Sequence, residues 1–273
     1  MRYIHETHIM KNALLPIIYH PCTVRSSDLT RIANWHENVE FLCFYRGEGM
    51  IRFETEWKSV KCGDIAVINP DVLHHIASGS EVEYHCLIVD RKFCEDNGID
   101  ILSLKINEII RDERLFSAFE KMIELIKPVY ENDIDEFSVA KARHSLLGFL
   151  IDLCLGHITE KAEKKHSRSG ASERVKTVML YLRARISEPV TLDEIAEHVG
   201  ISKYHLSREF KLYAGSTLFD YLNIIRCKEA QRMLTDGATV SEAATACGFE
   251  SLSYFTRSFK KYIGKLPSSY KRL

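Results

Sequence analysis

The sequence lacks the features that would tie it to a membrane, a secretory route or a disulfide framework. No apolar run approaches the ~20 residues that a membrane span needs. The first residues, MRYIHETHIMKN, carry neither an apolar core nor a small-residue cleavage site, so they do not read as a secretory signal. None of the eight cysteines stands in a CxxC pair or at framework spacing. Several fall in apolar patterns, so buried free thiols in a reducing cytoplasm are the expectation. Net charge is nearly absent as well, at −1, but that balance conceals an asymmetry. Residues 171–273 carry 16 Lys and Arg against 11 Asp and Glu, while residues 1–170 carry 21 against 27. A basic C-terminal part suits phosphate binding, and an acidic N-terminal part avoids it.

What is present fits a soluble globular protein: 273 residues, 45% hydrophobic and 27% charged, enough for two domains with a core each. The most informative stretch is Thr239 to Gly264. Thr239 and Glu242 stand at capping-box spacing, and Val240, Ala243, Ala244 and Cys247 follow at helical spacing up to Gly248. A second, basic helix follows. Phe255, Phe259 and Tyr262 fall on one face of it, and Leu252, Ser253, Thr256, Arg257 and Lys260 on another. One buried face backed by short polar groups and cations is the pattern of a helix-turn-helix whose second helix enters a major groove.

The chain carries this unit twice. Thr191, Glu194, Ala196 and Gly200 match Thr239, Glu242, Ala244 and Gly248 at an offset of 48. Past the turn the offset is 49, matching Arg208 with Arg257, Phe210 with Phe259, Lys211 with Lys260 and Gly215 with Gly264. Two copies are too few for a solenoid. They suit two helix-turn-helix units joined by a helix over Leu218 to Leu234, with a preceding helix from Ser172 that ends before Pro189.

On these residues the C-terminal part closely resembles the DNA-binding domain of AraC/XylS-type transcription regulators. The resemblance rests on Ala196, Gly200, Ser202, Leu206, Arg208 and Phe210-Lys211, then on Arg226, Ala230 and Leu234 in the linking helix. In the second unit it rests on Ala244, Cys247-Gly248-Phe249, Tyr254-Phe255, Arg257, Phe259-Lys260, Gly264, Pro267 and Tyr270. Lys271 departs from the family's usual Arg while keeping the charge.

Residues 17 to 90 read as short strands. Val39–Arg46, Met50–Thr55, Ile65–Asn69 and Val82–Val89 are rich in β-branched and aromatic residues, with turn signals between them. A sandwich or small barrel follows. The spacing of His36, Glu40 and Gly47, then of Gly63-Asp64, Pro70 and His74, resembles the two cupin motifs. Asn34 stands where a metal-binding cupin has its first His, and Asn is a poor transition-metal ligand, so no metal and no cofactor are expected. His36, Glu40 and His74 are candidates for effector contact. The competing reading makes the two histidines ordinary barrel residues bonded to backbone. Arg111 to Ile126 and Glu136 to Leu155 read as amphipathic helices, with Pro128 to Asp135 as the turn. Leu115, Phe119, Met122, Ile123 and Ile126 stripe the first, and Ala140, Leu146, Leu147, Leu150, Ile151 and Leu155 the second. They pack on the barrel, make a dimer contact as the resemblance implies, or do both.

The expected organisation is therefore α+β in two domains: a cupin-like effector-binding and dimerisation domain over 1–156, a linker over 157–172, and an all-α DNA-binding domain over 173–273. The DNA candidates are Lys203, Tyr204, Ser207, Arg208 and Lys211 in the first unit. In the second they are Ser251, Leu252, Ser253, Thr256, Arg257 and Lys260. Arg can grip guanine through two bonds and Ser can serve several bases, whereas late-helix Lys suits phosphate. Two alternatives stay open: Arg208 and Arg257 form structural salt bridges to carboxylates such as Glu209 or Glu229, and Leu252 either meets a thymine methyl or packs inward. The whole reads as a cytoplasmic, sequence-specific, non-enzymatic transcription regulator of double-stranded DNA, controlled by a sugar or other metabolite. The resemblance implies a homodimer and an activator touching RNA polymerase. The rival reading is a metal-dependent cupin enzyme fused to a DNA-binding domain, with its metal at His36, Glu40 and His74.

Overall fold

The computed structural model describes residues 14–25, 33–131, 135–161 and 170–270. The chain divides into two compact units, the larger built on Trp35–Ser167 and the smaller on Arg168–Leu273. Among the described residues no helix is long and apolar enough to cross a membrane.

The N-terminal unit is built on two antiparallel sheets. Strands β1 (Ile17–Val24), β2 (Val39–Arg46), β5 (Ile65–Ile68), β7 (Val82–Val89) and β9 (Ile109–Ile110) form one, in the order β1-β7-β2-β5-β9. Strands β3 (Glu48–Phe53), β4 (Glu56–Lys61) and β6 (His74–Ala77) form the other, in the order β4-β3-β6. Pro21, which cannot donate to a ladder, lies on β1 at a sheet edge, where a strand tolerates it. Alternation along β2 divides its side chains between two cores. Phe41 and Cys43 join Leu87, Val89 and the helices, while Leu42 and Phe44 join Ile51, Phe53, Ile76 and Tyr84 between the sheets.

After β7 come α1 (Arg91–Asp96), a 3-10 turn at Ile101–Ser103 and β8 (Leu104–Ile106). The helix pair follows as α2 (Glu113–Glu131) and α3 (Ser138–His157). α2 buries its expected stripe and continues through Pro128 to Glu131, so the turn expected from Pro128 starts later, and Val129 is also buried in the helix–sheet core. α3 differs from expectation. It buries Ala142, Leu146, Phe149, Leu150 and Leu153, whereas Ala140, Ile151 and Leu155 lie exposed. Residues expected to open the linker instead form β10 (Ile158–Lys161), whose backbone pairs with β8. The basic linker residues Lys164, Lys165 and Arg168 lie outside the described residues.

The C-terminal unit is helical: α4 (Gly170–Ala184), α5 (Leu192–His198), α6 (Lys203–Ala214), α7 (Leu218–Thr235), α8 (Val240–Ala246) and α9 (Leu252–Ile263). Both capping boxes form. Thr191 and Thr239 accept from the backbone of Glu194 and Glu242, whose carboxylates return the bond to the N-cap backbone. The turns pass through Gly200 and Gly248 at φ 70° and 73°. Gly215 and Gly264 close α6 and α9 in the left-handed conformation. Within this unit α7 holds the two helix-turn-helix motifs together. Its buried Arg226 donates to the carbonyls of Ile186 and Glu188 at 2.7 Å each, and its guanidinium lies 5.9 Å from the Phe249 ring centroid. One cation thus ties the chain ahead of α5 to the turn ahead of α9.

Candidate nucleic-acid interface and buried polar cluster

α6 and α9 place their side chains alike. Leu206, Phe210 and Tyr213 are buried in α6, and Phe255, Phe259 and Tyr262 in α9. The opposite face of α6 exposes Lys203, Tyr204, Ser207, Arg208 and Lys211. That of α9 exposes Ser251, Leu252, Ser253, Arg257 and Lys260, with Thr256 half-buried. Leu252 faces outward, leaving half its surface to solvent (50%). Lys203 pairs with Asp193 at 3.0 Å, and Ser251 caps α9 by accepting from the Tyr254 amide, so each also has a structural task.

The salt-bridge alternative for the two arginines does not hold with the carboxylates considered. Glu209 follows Arg208 by one residue, and adjacent residues do not face each other on a helix. It turns inward instead, where Arg174 holds both its oxygens at 2.6 and 3.0 Å and His205 adds a contact at 2.8 Å. The Arg174 guanidinium keeps the Glu209 carboxyl below its usual range against the opposing effect of burial, and His205 adds to the lowering. Glu229 is taken by Arg232 at 2.6 Å. Among the described residues no ion pair involves Arg208 or Arg257. Tyr254, not among the candidates, is also exposed on α9, where its hydroxyl accepts from Asn223 at 2.9 Å. Its place directly after Ser253 was the signal for it.

In the N-terminal unit, His36, Glu40 and His74 come together, all buried. Alternation puts Glu40 on the same side of β2 as Leu42 and Phe44, facing the core between the sheets. It stands opposite Ile68 on one neighbour and Ile88 on the other. A turn at Asn69 to Val72 brings in His74. The Asp71 amide donates to the His36 carbonyl at 2.7 Å, and the Asn69 side chain exchanges two bonds with the backbone of Ile106. Both imidazoles aim Nε2 at one carboxylate oxygen, Glu40 Oε2, at 3.0 Å from His36 and 3.2 Å from His74. Their Nδ1 atoms lie 2.8 Å from the Asn38 carbonyl and 3.1 Å from the Val72 carbonyl. The other carboxylate oxygen accepts from the Cys86 thiol at 3.0 Å. Burial pushes the Glu40 carboxyl up, but the two imidazoles outweigh it and hold the group well below the usual carboxylate range. Cys86 lies 46 residues further along the chain, and only the β2–β7 register brings it near. Asn34 groups with the C-terminal unit and not with this cluster.

Two family profiles match this chain: a helix-turn-helix domain over residues 195–273 and an AraC-like ligand binding domain over residues 23–147. The HTH-type transcriptional activator AarP of Providencia stuartii is 30% identical over 109 residues, which is 40% of this chain and 80% of AarP. YobQ of Bacillus subtilis, described as an uncharacterized HTH-type transcriptional regulator, is 26% identical over 246 residues, covering 89% of this chain and 90% of YobQ. The structure of ToxT from Vibrio cholerae covers 93% of this chain and 94% of its own at 14% identity, with a TM-score of 0.48.

Proposed function

The chain belongs to the AraC family of helix-turn-helix transcription regulators, and we propose that it reads a two-box operator through α6 and α9 under control of a small molecule held in the N-terminal unit. Membership of this family places it among DNA-binding regulators rather than enzymes. The observation that carries the proposal is the pair of matching exposed faces, with Arg208 and Arg257 at equivalent places and outside any ion pair among the described residues. Arg grips guanine through two bonds, worth about 1–3 kcal/mol of discrimination per good pair. Lys211 and Lys260, late in their helices, serve phosphate and set position.

The effector is a sugar or other metabolite, and His36, Glu40 and His74 are the polar groups that contact it. Its binding shifts the protein between states of different DNA affinity by favouring one of them. The exposed Ile151 and Leu155 on α3 support a homodimer. AarP's description as an activator supports a positive sign of control, and the family resemblance implies that this control acts in the cytoplasm through RNA polymerase.

The test is a selection of sheared genomic DNA by the full-length protein beside Arg208→Ala and Arg257→Ala. A few enriched sites with two boxes are expected, each substitution relaxing one box at a cost of about 1–3 kcal/mol. Diffuse, salt-sensitive enrichment that neither substitution changes would remove the reading.

A further inference from the structure

The open end of the β3–β4 hairpin, where Glu48 pairs with Lys61, borders a pocket of about 460 Å³. That is room for a small metabolite. The polar cluster lies elsewhere: His74 pairs with Phe53 at the other end of β3, five residues from Glu48, or about 17 Å along an extended strand. Two cations line the pocket, Lys61 and Arg111, the latter directly after β9. One buried carboxylate, Asp64, organises both. It accepts from the Lys61 backbone amide at 3.1 Å, and Arg111 Nε lies 3.3 and 3.4 Å from its two oxygens. Arg111 Nη2 also donates to the Ser59 carbonyl at 3.3 Å. A guanidinium has five N–H groups. The two on Nη1 and one on Nη2 therefore have no acceptor among the described residues, and Lys61 enters no ion pair there.

We propose that this pocket is a second ligand site, which takes a small organic monocarboxylate through Arg111 and Lys61. The planar guanidinium fork matches a carboxylate through paired N–H···O bonds, and a neighbouring ammonium adds a point charge. Solvated cations are ordinary on a surface, but Arg111 is not loose. Asp64 and the Ser59 carbonyl hold its Nε and one Nη2 hydrogen, so its remaining donors are set in place before a ligand arrives. Holding them in advance lowers the ordering cost of binding. Glu48 also lines the pocket, so two cations face one carboxylate. That balance suits a single negative charge better than a phosphate dianion. Val60 and Met50 add apolar surface for a short hydrocarbon tail. Because both cations are exposed to solvent, the expected affinity is modest, in the millimolar range. This site goes beyond the contact proposed for His36, Glu40 and His74 and does not depend on it.

The probe is 4,4,4-trifluorobutyrate, a carboxylate with a short apolar tail, titrated into the full-length protein and followed by fluorine NMR. Saturable binding at millimolar concentration is expected. Lys61→Gln and Arg111→Gln should each weaken it at least about tenfold, the loss of one charge-assisted contact. Arg111→Lys, which keeps the charge and loses the fork, should recover only part of that loss. Both side chains are exposed, and circular dichroism checks that the variants fold. Acetate should displace the probe at lower concentration than inorganic phosphate does. No saturable binding to the wild-type chain would overturn the site. Binding unchanged in both Lys61→Gln and Arg111→Gln would do the same, because the anion would then lie elsewhere. Displacement by phosphate ahead of acetate would overturn the assignment to a carboxylate. No DNA enters the measurement, so its failure is distinct from any failure of the operator reading.

Discussion

Gly248 and Gly200 hold matching places in the two repeats and nearly the same positive φ, yet their surroundings differ. A Cβ on Gly248 would stand 2.9 Å from the Ile186 carbonyl oxygen, the Ser187 carbonyl carbon and the Arg226 guanidinium. A Cβ on Gly200 would meet nothing within 4 Å. Gly200→Ala should therefore cost only the left-handed backbone penalty, about 1–2 kcal/mol. Gly248→Ala should add about 1–3 kcal/mol of overpacking, because backbone cannot move aside as a flexible side chain can. Urea unfolding followed by the helical signal would separate the two. Trp35 and Trp57 both lie in the other unit and monitor it independently. Equal midpoints for the two variants would contradict the packing described around Arg226. The repeat was plain in the sequence, since capping boxes and turn glycines are local. Its asymmetry was not, because the atoms crowding Gly248 come from the chain that follows α4 and from α7.

At the scale of elements, the legible strands were the central ones. β2 and β7 lie inside the five-stranded sheet, where burial on both faces produces long apolar runs, and both have the ends expected of them. β4, a polar edge strand, and the four-residue β6 gave no comparable signal. For α3 the amphipathic reading found the helix but placed part of its stripe wrongly, since the core shared with α2 and the sheet takes Ala142, Leu146, Phe149, Leu150 and Leu153. The residues left over are informative. Leu155 is 82% exposed and Ile151 49%, side by side on the helix surface at a spacing of i and i+4. If they meet a second copy of the chain, Leu155→Asp should raise the dimer dissociation constant at least about tenfold, or about 1.4 kcal/mol. Sedimentation velocity across a dilution series measures it. An unchanged distribution would move the dimer contact off α3.

At the scale of the molecule, a helix-turn-helix domain is joined to an AraC-like ligand-binding domain. The two arginines, the aromatic cores behind them and the family resemblance were readable from spacing alone. The convergence of His36, Glu40 and His74 was half readable: motif spacing nominated the three, whereas the carbonyl anchors and the Cys86 thiol depend on a turn and a register that spacing does not reveal. On the DNA side, α7 and Arg226 bind the two reading units into one body, so their boxes should keep a fixed phase of about one helical turn. The most direct measurement is the affinity of the full-length protein for its selected operator after about 5 bp, half a turn, is inserted between the boxes. The account predicts that affinity falls to that of a single box, and that Arg257→Ala then costs little more. Affinity unchanged by the insertion would contradict it, because two helices fixed in one unit cannot follow boxes that have moved to opposite faces of the duplex.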